Sequence, residues 1–202
     1  TVFGALESFT GLLDASSSVQ DMYFSDDAVT NETVGIPSEA VKTLAENDAV
    51  ESVSTTRLSV FMPGAGDILP FETDLSVQSH ETLQLVNVDE AQLQIYAPNL
   101  SAQDKQALKD GTGCLVKNPI AFSYGDTTVQ QTDLTVGDTI QLGDRTLPVL
   151  GLIDTAITIN NDGFTNGVQL IVNDEIYCSL LGNDSYSEVY PTLTDKADTD
   201  TF

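Results

Sequence analysis

The sequence predicts an α+β fold in which a strand-rich lobe is inserted into a smaller α/β lobe. Helix and strand signals alternate over the first 62 residues. The segment PGAGDILP (63–70) then places two Pro and two Gly in eight residues, and short strand signals dominate after it. We therefore assign residues 1–62 and 184–202 to the α/β lobe and residues 63–183 to the inserted lobe.

Four elements are predicted over residues 1–62. Apolar residues recur every three or four positions over 2–13, which predicts an amphipathic helix, and residues 22–24 are a short strand candidate. Residues 36–48 (IPSEAVKTLAEND) predict a compact helix with Pro37 in its first turn. Residues 49–62 (AVESVSTTRLSVFM) have the spacing of one or two extended segments.

The first half of the inserted lobe alternates short strands with one helix. Strands are predicted at 82–88, 93–96 and 114–116. The helix is predicted over SAQDKQALKDG (101–111), where Ser101 and Asp104 resemble a capping box and Gly111 can end the helix.

The stretch LTVGDTIQLGDRTLPVLGLID (134–154) predicts a β-hairpin. Residues 139–142 alternate polar and apolar, Gly143 and Asp144 suit a tight turn, and residues 146–153 run back.

Three further elements follow the hairpin. Residues 167–172 (GVQLIV) predict a strand, and NDEIYCSLLG predicts a two-turn helix capped by Asn173 and ended by Gly182. The last strand is SEVYPTL (187–193), with Pro191 marking its end or a sheet edge.

The charge of the chain excludes several classes of partner. Seven Lys and Arg stand against 31 Asp and Glu, for a formal net charge of −24. Nucleic acids and anionic lipid surfaces both recruit clustered basic residues, so neither is expected as a partner. Electrostatic attraction favours cationic partners instead. The longest apolar run, LPVLGLI (147–153), is far shorter than the ~20 residues of a membrane-spanning helix.

No catalytic residue is assigned from the sequence. LPVLGLIDTA resembles the apolar run plus Asp-Thr-Gly of aspartic proteases, with Asp154 as the acid, but Ala156 replaces the Gly. That chemistry needs two carboxylates sharing a proton, and the chain has no second copy of the motif. A hydrolase in which folding brings another carboxylate to Asp154 stays open as an alternative. His80, the single histidine, is expected at the surface.

No metal or cofactor is assigned either. An EF-hand register through Thr158, Asn160, Asp162 and Gly163 puts Gln169 where the bidentate Glu belongs, so a turn is predicted there. GAGDIL (64–69) lacks the Gly-Lys-Ser/Thr of a phosphate-binding loop. Cys114 and Cys178 are expected as buried thiols, with one bridge between them remaining possible.

The order of the late elements carries a family resemblance. LTVGDTIQLGDRTLPVLGLID resembles the "l-vGD-i-l … v-Gi" hairpin in extracellular domains of MacB-like and FtsX-like ABC transporter permeases. GVQLIVNDEIYCSLLGNDSYSEVYPTL (167–193) is similar to the strand, short helix ending in Leu-Gly, and strand that follow that hairpin. IPSEAVKTLAENDAVESV resembles the early helix and "V-x-x-V" strand of the family, and GTGCLVKNPIAF resembles its "g…vlvn…a" segment.

The resemblance implies a domain held outside the cell between two membrane helices, excised here from a membrane-anchored parent. The α/β lobe would be membrane-proximal and porter-like, and the inserted β-rich lobe sabre-like. In the family a helix and usually a strand follow the final strand, so we expect the proximal lobe to continue beyond Phe202.

The function implied is non-enzymatic. The domain would couple movement of the membrane helices to the handling of a substrate or partner outside the cell, and PGAGDILP and NDSYSE (183–188) are the candidate hinges. The implied partners are a cytoplasmic ATP-binding subunit or domain and a second permease half, and the negative charge points to cationic peptides as substrate. The alternative is a secreted or wall-attached binding module, such as an adhesin or a carbohydrate-binding domain.

Overall fold

The computed structural model describes residues 24–25, 35–121, 123–158 and 167–194. Within these ranges the chain forms one eight-stranded mixed sheet, a separate two-stranded hairpin and four α-helices. The observed fold is mixed α and β, as predicted.

The strands are β1 (Phe24–Ser25), β2 (Val50–Phe61), β3 (Thr82–Val88), β4 (Cys114–Lys117), β5 (Ser123–Tyr124), β6 (Thr127–Thr128), β7 (Thr139–Leu142), β8 (Arg145–Leu152), β9 (Gly167–Ile171) and β10 (Glu188–Leu193). The helices are α1 (Ser38–Ala45), α2 (Glu90–Tyr96), α3 (Ala102–Lys109) and α4 (Asp174–Leu181), with a 3₁₀ turn at Pro63–Ala65.

The strand order in the large sheet is β1-β10-β2-β3-β9-β4-β8-β7. Strands β3 and β9 are parallel, as are β4 and β8, and the other neighbours are antiparallel. Strands β5 and β6 form the separate hairpin.

Strand β2 is long enough to serve both halves of the sheet. Its first half, up to Thr56, pairs with β10, and its second half, from Thr56 to Phe61, pairs with β3. Thr56 therefore faces Glu188 on one side and Val88 on the other. Strands of both predicted lobes thus lie in one sheet, and the predicted boundary separates two hydrogen-bonded strands.

Each face of the sheet carries an apolar core. Along β4, Cys114 and Val116 belong to the core that includes Ile176 and Tyr177 of α4. Leu115 lies between them and belongs to the opposite core, which includes Leu93 of α2 and Leu108 of α3. This alternation is the period of two that a strand buried on both faces requires.

Most of the predicted elements are confirmed: the helix within 36–48, the strands at 82–88 and 114–116, helices α3 and α4, the β7–β8 hairpin and the strands at 167–172 and 187–193. The segment 49–62 forms one strand. Pro37 stands at the N-cap of α1 with an extended ψ of 139°, one residue before the helix rather than within its first turn. The helix predicted over 2–13 lies outside the described residues, and of the strand predicted at 22–24 only the last residue is described.

The strand predicted at 93–96 is wrong, because these residues end helix α2. Asp89 has extended backbone angles, and its side chain accepts a 2.9 Å hydrogen bond from the Gln92 amide, which begins the helix. Pro191 lies inside β10, opposite Val53 of β2. On its other side β10 pairs with the described residues of β1 at Glu188 and Val189, so none of these described pairs requires an amide hydrogen from Pro191.

Candidate functional site

Arg57 lies in β2 directly after Thr56, where the two halves of the sheet meet. Its side chain is 3% exposed. The Nε atom donates to the carbonyls of Asp184 (3.3 Å) and Ser185 (3.2 Å), and Nη2 donates to the Asp184 carbonyl at 2.9 Å. The Nη1 atom donates to Asn87 Oδ1 at 3.0 Å and also pairs with the carboxylate of Asp174. Each of the three guanidinium nitrogens therefore has at least one hydrogen-bond acceptor.

This cluster, which we call the arginine junction, consists of Arg57, Asn87, Asp174, Asp184 and Tyr186. The guanidinium carbon lies 3.7 Å from the centroid of the Tyr186 ring, a cation–π geometry. Asn87 in β3 donates from Nδ2 to the Val172 carbonyl (3.1 Å), just beyond β9. One side chain of β2 thus ties together β3, the start of α4 and the segment that leads from α4 into β10.

That segment, 183–187, makes up all but the last residue of the second predicted hinge (183–188), and it is held at several points. The amide of Tyr186 donates to the Ile36 carbonyl and the amide of Ile36 donates to the Tyr186 carbonyl, both at 2.8 Å. Ser38 Oγ donates to the carboxylate of Asp184 at 2.6 Å.

Ser187 continues the attachment into β2. Its amide donates to the Thr56 carbonyl at 2.9 Å, and its Oγ accepts from the Leu58 amide at 3.0 Å. The segment is therefore fastened along its length to α1 and β2.

The other predicted hinge, 63–70, is also fastened. The amide of Met62 donates to Asp67 Oδ2 at 2.7 Å, which closes the turn. Gly64 lies so close to Ser79 that a Cβ at position 64 would stand 1.9 Å from the Ser79 carbonyl oxygen. Both predicted hinges are therefore packed against other segments of the same polypeptide.

Ionisable groups around the arginine junction are shifted by burial. Burial raises the pKa of Tyr177 to about 12, although its 2.7 Å hydrogen bond to Ser59 and the charge of Arg57 act in the opposite direction. Burial also raises the pKa of the Cys178 thiol, opposed by Arg57 and reinforced by Asp174 and Asp184. These groups therefore stay protonated at neutral pH.

A buried acid lies beside the junction. Glu188, at the start of β10, is 2% exposed, and its carboxylate accepts a 2.6 Å hydrogen bond from the hydroxyl of Tyr190. Burial raises the pKa of Tyr96, and the nearby charge of Glu188 raises it further. The junction thus has a cation on one face of β2 and an acid on the neighbouring strand.

The candidate catalytic residues are not brought together. Asp154 is exposed in the turn after β8, and among the described residues no ionisable group pairs with its carboxylate. His80 Nε2 lies 3.8 Å from Glu81 Oε1. Glu81 is buried and binds Thr132, whose amide and hydroxyl donate to its two carboxylate oxygens at 2.9 and 2.6 Å. This arrangement joins the loop that carries Glu81 to the loop that carries Thr132.

In the candidate EF-hand register, the residue at the position of the bidentate Glu makes hydrogen bonds inside the sheet. Gln169 is buried in β9 and donates from Nε2 to the Ile157 carbonyl and to Gln84 Oε1, at 2.6 and 2.7 Å. Its Oε1 accepts from the Ile157 amide at 2.8 Å. Asn160, Asp162 and Gly163 lie outside the described residues. Across the described ranges, no cluster of three or more His, Cys, Asp or Glu is placed to hold a metal.

Both cysteines are free thiols. Cys114 is fully buried, and burial raises its pKa to about 12, whereas Cys178 is half-buried in α4. In the part of the chain that the structure describes, none of the helices has the length and apolarity to cross a membrane.

Sequence reasoning missed the arginine junction because Arg57 reads as one polar residue in a strand. A signal was present, since Arg57 is a single basic residue between the β-branched TT and the apolar LSVF. Its partners are 30 to 129 positions away in the chain, so no local pattern links them.

Comparison with known proteins gives structural neighbours only. No protein-family model matches the chain, and no curated protein is significantly similar to it. One similar structure is the extracellular domain of the noncanonic ABC-type transporter YknZ from Gram-positive bacteria, at 12% identity over 87% of this chain and 83% of that one, with a TM-score of 0.47.

Another is the periplasmic region of MacB from Actinobacillus actinomycetemcomitans, at 11% identity over 90% of this chain and 77% of that one, also with a TM-score of 0.47. Identities and TM-scores this low carry no argument about function. The first is described as part of an ABC-type transporter and the second as a periplasmic region.

Proposed function

We propose that this chain is a non-catalytic extracytoplasmic domain of an ABC transporter permease, held at the outer face of the plasma membrane. Its role is to couple movement of the membrane helices to the handling of a substrate or partner outside the cell. The order of the hairpin, helix and strand motifs over residues 111–193 supports the class of protein. The arginine junction on β2 is the observation that carries the coupling role.

The geometry favours a relay by tilting. Strands β1 and β10 and the first half of β2 form one end of the sheet, which we place next to the membrane. Because β2 continues unbroken into pairing with β3, a displacement of that end is passed along the strand. The contacts that fasten 183–187 and 63–70 favour movement of the two halves as one body over closure of one upon the other.

The proposal assigns the energy source to other parts of the transporter. ATP is hydrolysed by a cytoplasmic ATP-binding subunit or domain, and a second permease half completes the transporter. This chain contributes a stiff outer domain that is held in position by the membrane helices.

The relay is tested by weakening the arginine junction and then restoring it with a disulfide. Arg57→Lys keeps the charge but loses the planar fork that reaches several acceptors. We expect ATP hydrolysis by the intact parent transporter in membrane vesicles to fall by about twofold or more, because the two halves then move less together.

The restoring disulfide joins positions 38 and 184, where Ser38 and Asp184 side chains already touch. Ser38→Cys/Asp184→Cys is made in a Cys178→Ser background, while buried Cys114 stays protonated and unreactive because burial raises its pKa to about 12. Oxidation is expected to restore the activity of Arg57→Lys, and reduction to remove it again.

A disulfide away from the junction is the matched control. Gln141 and Thr146 face each other across the β7–β8 hairpin, with Thr146 Oγ1 donating to Gln141 Oε1 at 2.8 Å. Cross-linking 141 to 146 should leave Arg57→Lys unrestored. Loss of activity when the 38–184 disulfide forms in the presence of Arg57 would contradict the relay, because it would show that the junction must open.

A further inference from the structure

A cleft of about 400 Å³ lies between the α2–α3 connection and the end of β8. Its floor is apolar and consists of Leu100, Leu115, Leu150 and Ile153. Gly151 also lines it, and a Cβ at that position would come within 3.2 Å of Leu100 Cδ1, so the glycine lets the leucine lie close over the strand. The volume falls within the range of about 300 to 1,000 Å³ typical of small-molecule sites.

The polar part of the cleft is acidic. Asp104 and Asp154 line it together with Tyr96 and Ser101, and none of the described residues that line it is basic. Ser101 Oγ donates to Asp104 Oδ2 at 2.6 Å, which leaves the other carboxylate oxygen of Asp104 without a described partner. Asp154 is exposed, and within the described residues nothing binds its carboxylate.

We propose that this cleft binds an arginine side chain of a cationic peptide. The apolar floor matches the aliphatic stem of arginine, and the guanidinium is complementary to two carboxylates and to the face of a tyrosine ring. Tyr96 is neutral at neutral pH, as an ordinary tyrosine is, and burial raises its pKa further. The net charge of −24 favours the approach of a cationic peptide and opposes that of an anion.

Leu152 favours a peptide over a free cation. It lines the cleft and is 46% exposed, so it offers an apolar contact to a residue next to the arginine. The inference adds a ligand class to the proposed function but does not depend on the location of the domain.

The probe is the tripeptide N-acetyl-Leu-Arg-Leu-amide, titrated into the 202-residue chain and followed by amide chemical shifts. We expect the largest shifts at Gly151 and Asn99, which line the cleft. Replacing arginine by citrulline, a neutral group of the same shape, should weaken binding by about tenfold or more. Raising NaCl from about 0.05 to 0.5 M should weaken the arginine peptide more than the citrulline peptide.

Two variants with the same change of charge locate the site. Asp154→Asn should weaken the arginine peptide by about fivefold, since it removes an exposed carboxylate of the cleft. Asp126→Asn, in the exposed β5–β6 turn, should leave the affinity unchanged. Equal affinities for the two peptides, equal effects of the two variants, or shifts located elsewhere would each overturn the proposal. Those outcomes would leave the transporter assignment standing, because that assignment is tested separately, by whether the domain lies outside the cell.

Discussion

Two arginines pair with acids in the first turn of α4, but only one of them is buried. Arg57 pairs with Asp174 and has a side chain 3% exposed, while Arg145 pairs with Glu175 at 2.6 Å and is 35% exposed. The acids themselves are about equally exposed. Any difference in how much the two ion pairs stabilise the fold should therefore come from the deeper burial of Arg57.

Arg57→Met is expected to lower the free energy of unfolding by about 3–5 kcal/mol, because it leaves buried carbonyls and Asn87 without their donor. Arg145→Met removes the same charge and should cost less than about 1 kcal/mol. Urea unfolding of both variants measures the difference. Equal losses would show that the junction adds no more than a surface pair.

The raised pKa values of Cys114 and Tyr177 predict a loss of stability at alkaline pH. In the folded chain both pKa values are about 12, whereas an unfolded thiol ionises near pH 8.5 and an unfolded tyrosine near pH 10. Above those unfolded values the unfolded state loses protons that the folded state keeps, so stability is full below about pH 8.5 and falls as the pH rises toward about 12.

Cys114→Ala removes one of these two ionisations. The slope of unfolding free energy against pH between about 9 and 11 should become shallower by up to about 1.4 kcal/mol per pH unit. Cys178→Ala, at a half-buried thiol, is the comparison and should change the slope less. An unchanged slope in Cys114→Ala would contradict the assigned burial effect.

At the scale of elements, the sequence predicted those helices and strands whose ends carry local signals. Ser101 begins α3, Asn173 begins α4 by accepting from the Ile176 amide, and Gly182 ends α4 with φ +63°. Helix α2 resembles a strand in sequence because Ile95 and Tyr96 favour strands and the helix has only seven residues. Its cap, Asp89, was a usable signal that the prediction did not weigh.

Asp89 has a second contact that a helix cap does not usually have. Its Oδ2 accepts from the Thr55 amide in β2 at 2.6 Å, while Oδ1 caps α2. Asp89→Ala is therefore expected to cost about 2 kcal/mol, against about 1 kcal/mol for Ser101→Ala, which removes a cap and an exposed hydrogen bond to Asp104 but no contact to the sheet. Thermal unfolding compares the two, and an equal cost would mean that the contact to β2 contributes nothing.

At the scale of the whole molecule, the composition of the sequence predicts a division into two lobes. It does not predict that strands of both lobes share one sheet. The pairing of β2 with β10 joins Thr56 to Glu188, more than 130 positions away, and no local pattern specifies such a contact. The same holds for the arginine junction and for the burial of Glu188. The cleft beside Asp154 likewise exists only once α2, α3 and β8 have packed.

The central claim is that this chain lies outside the cell as part of a membrane-anchored permease. The direct measurement is labelling of Asp126→Cys, in a Cys178→Ser background, within the parent protein in intact cells. Asp126 is exposed in the β5–β6 turn, and the parent without this cysteine is the control, since Cys114 is buried. We expect a membrane-impermeant maleimide to label position 126 in unbroken cells, and the labelled protein to stay with the membrane after an alkaline wash. Labelling only after lysis, or recovery of the labelled protein from the medium, would contradict the account.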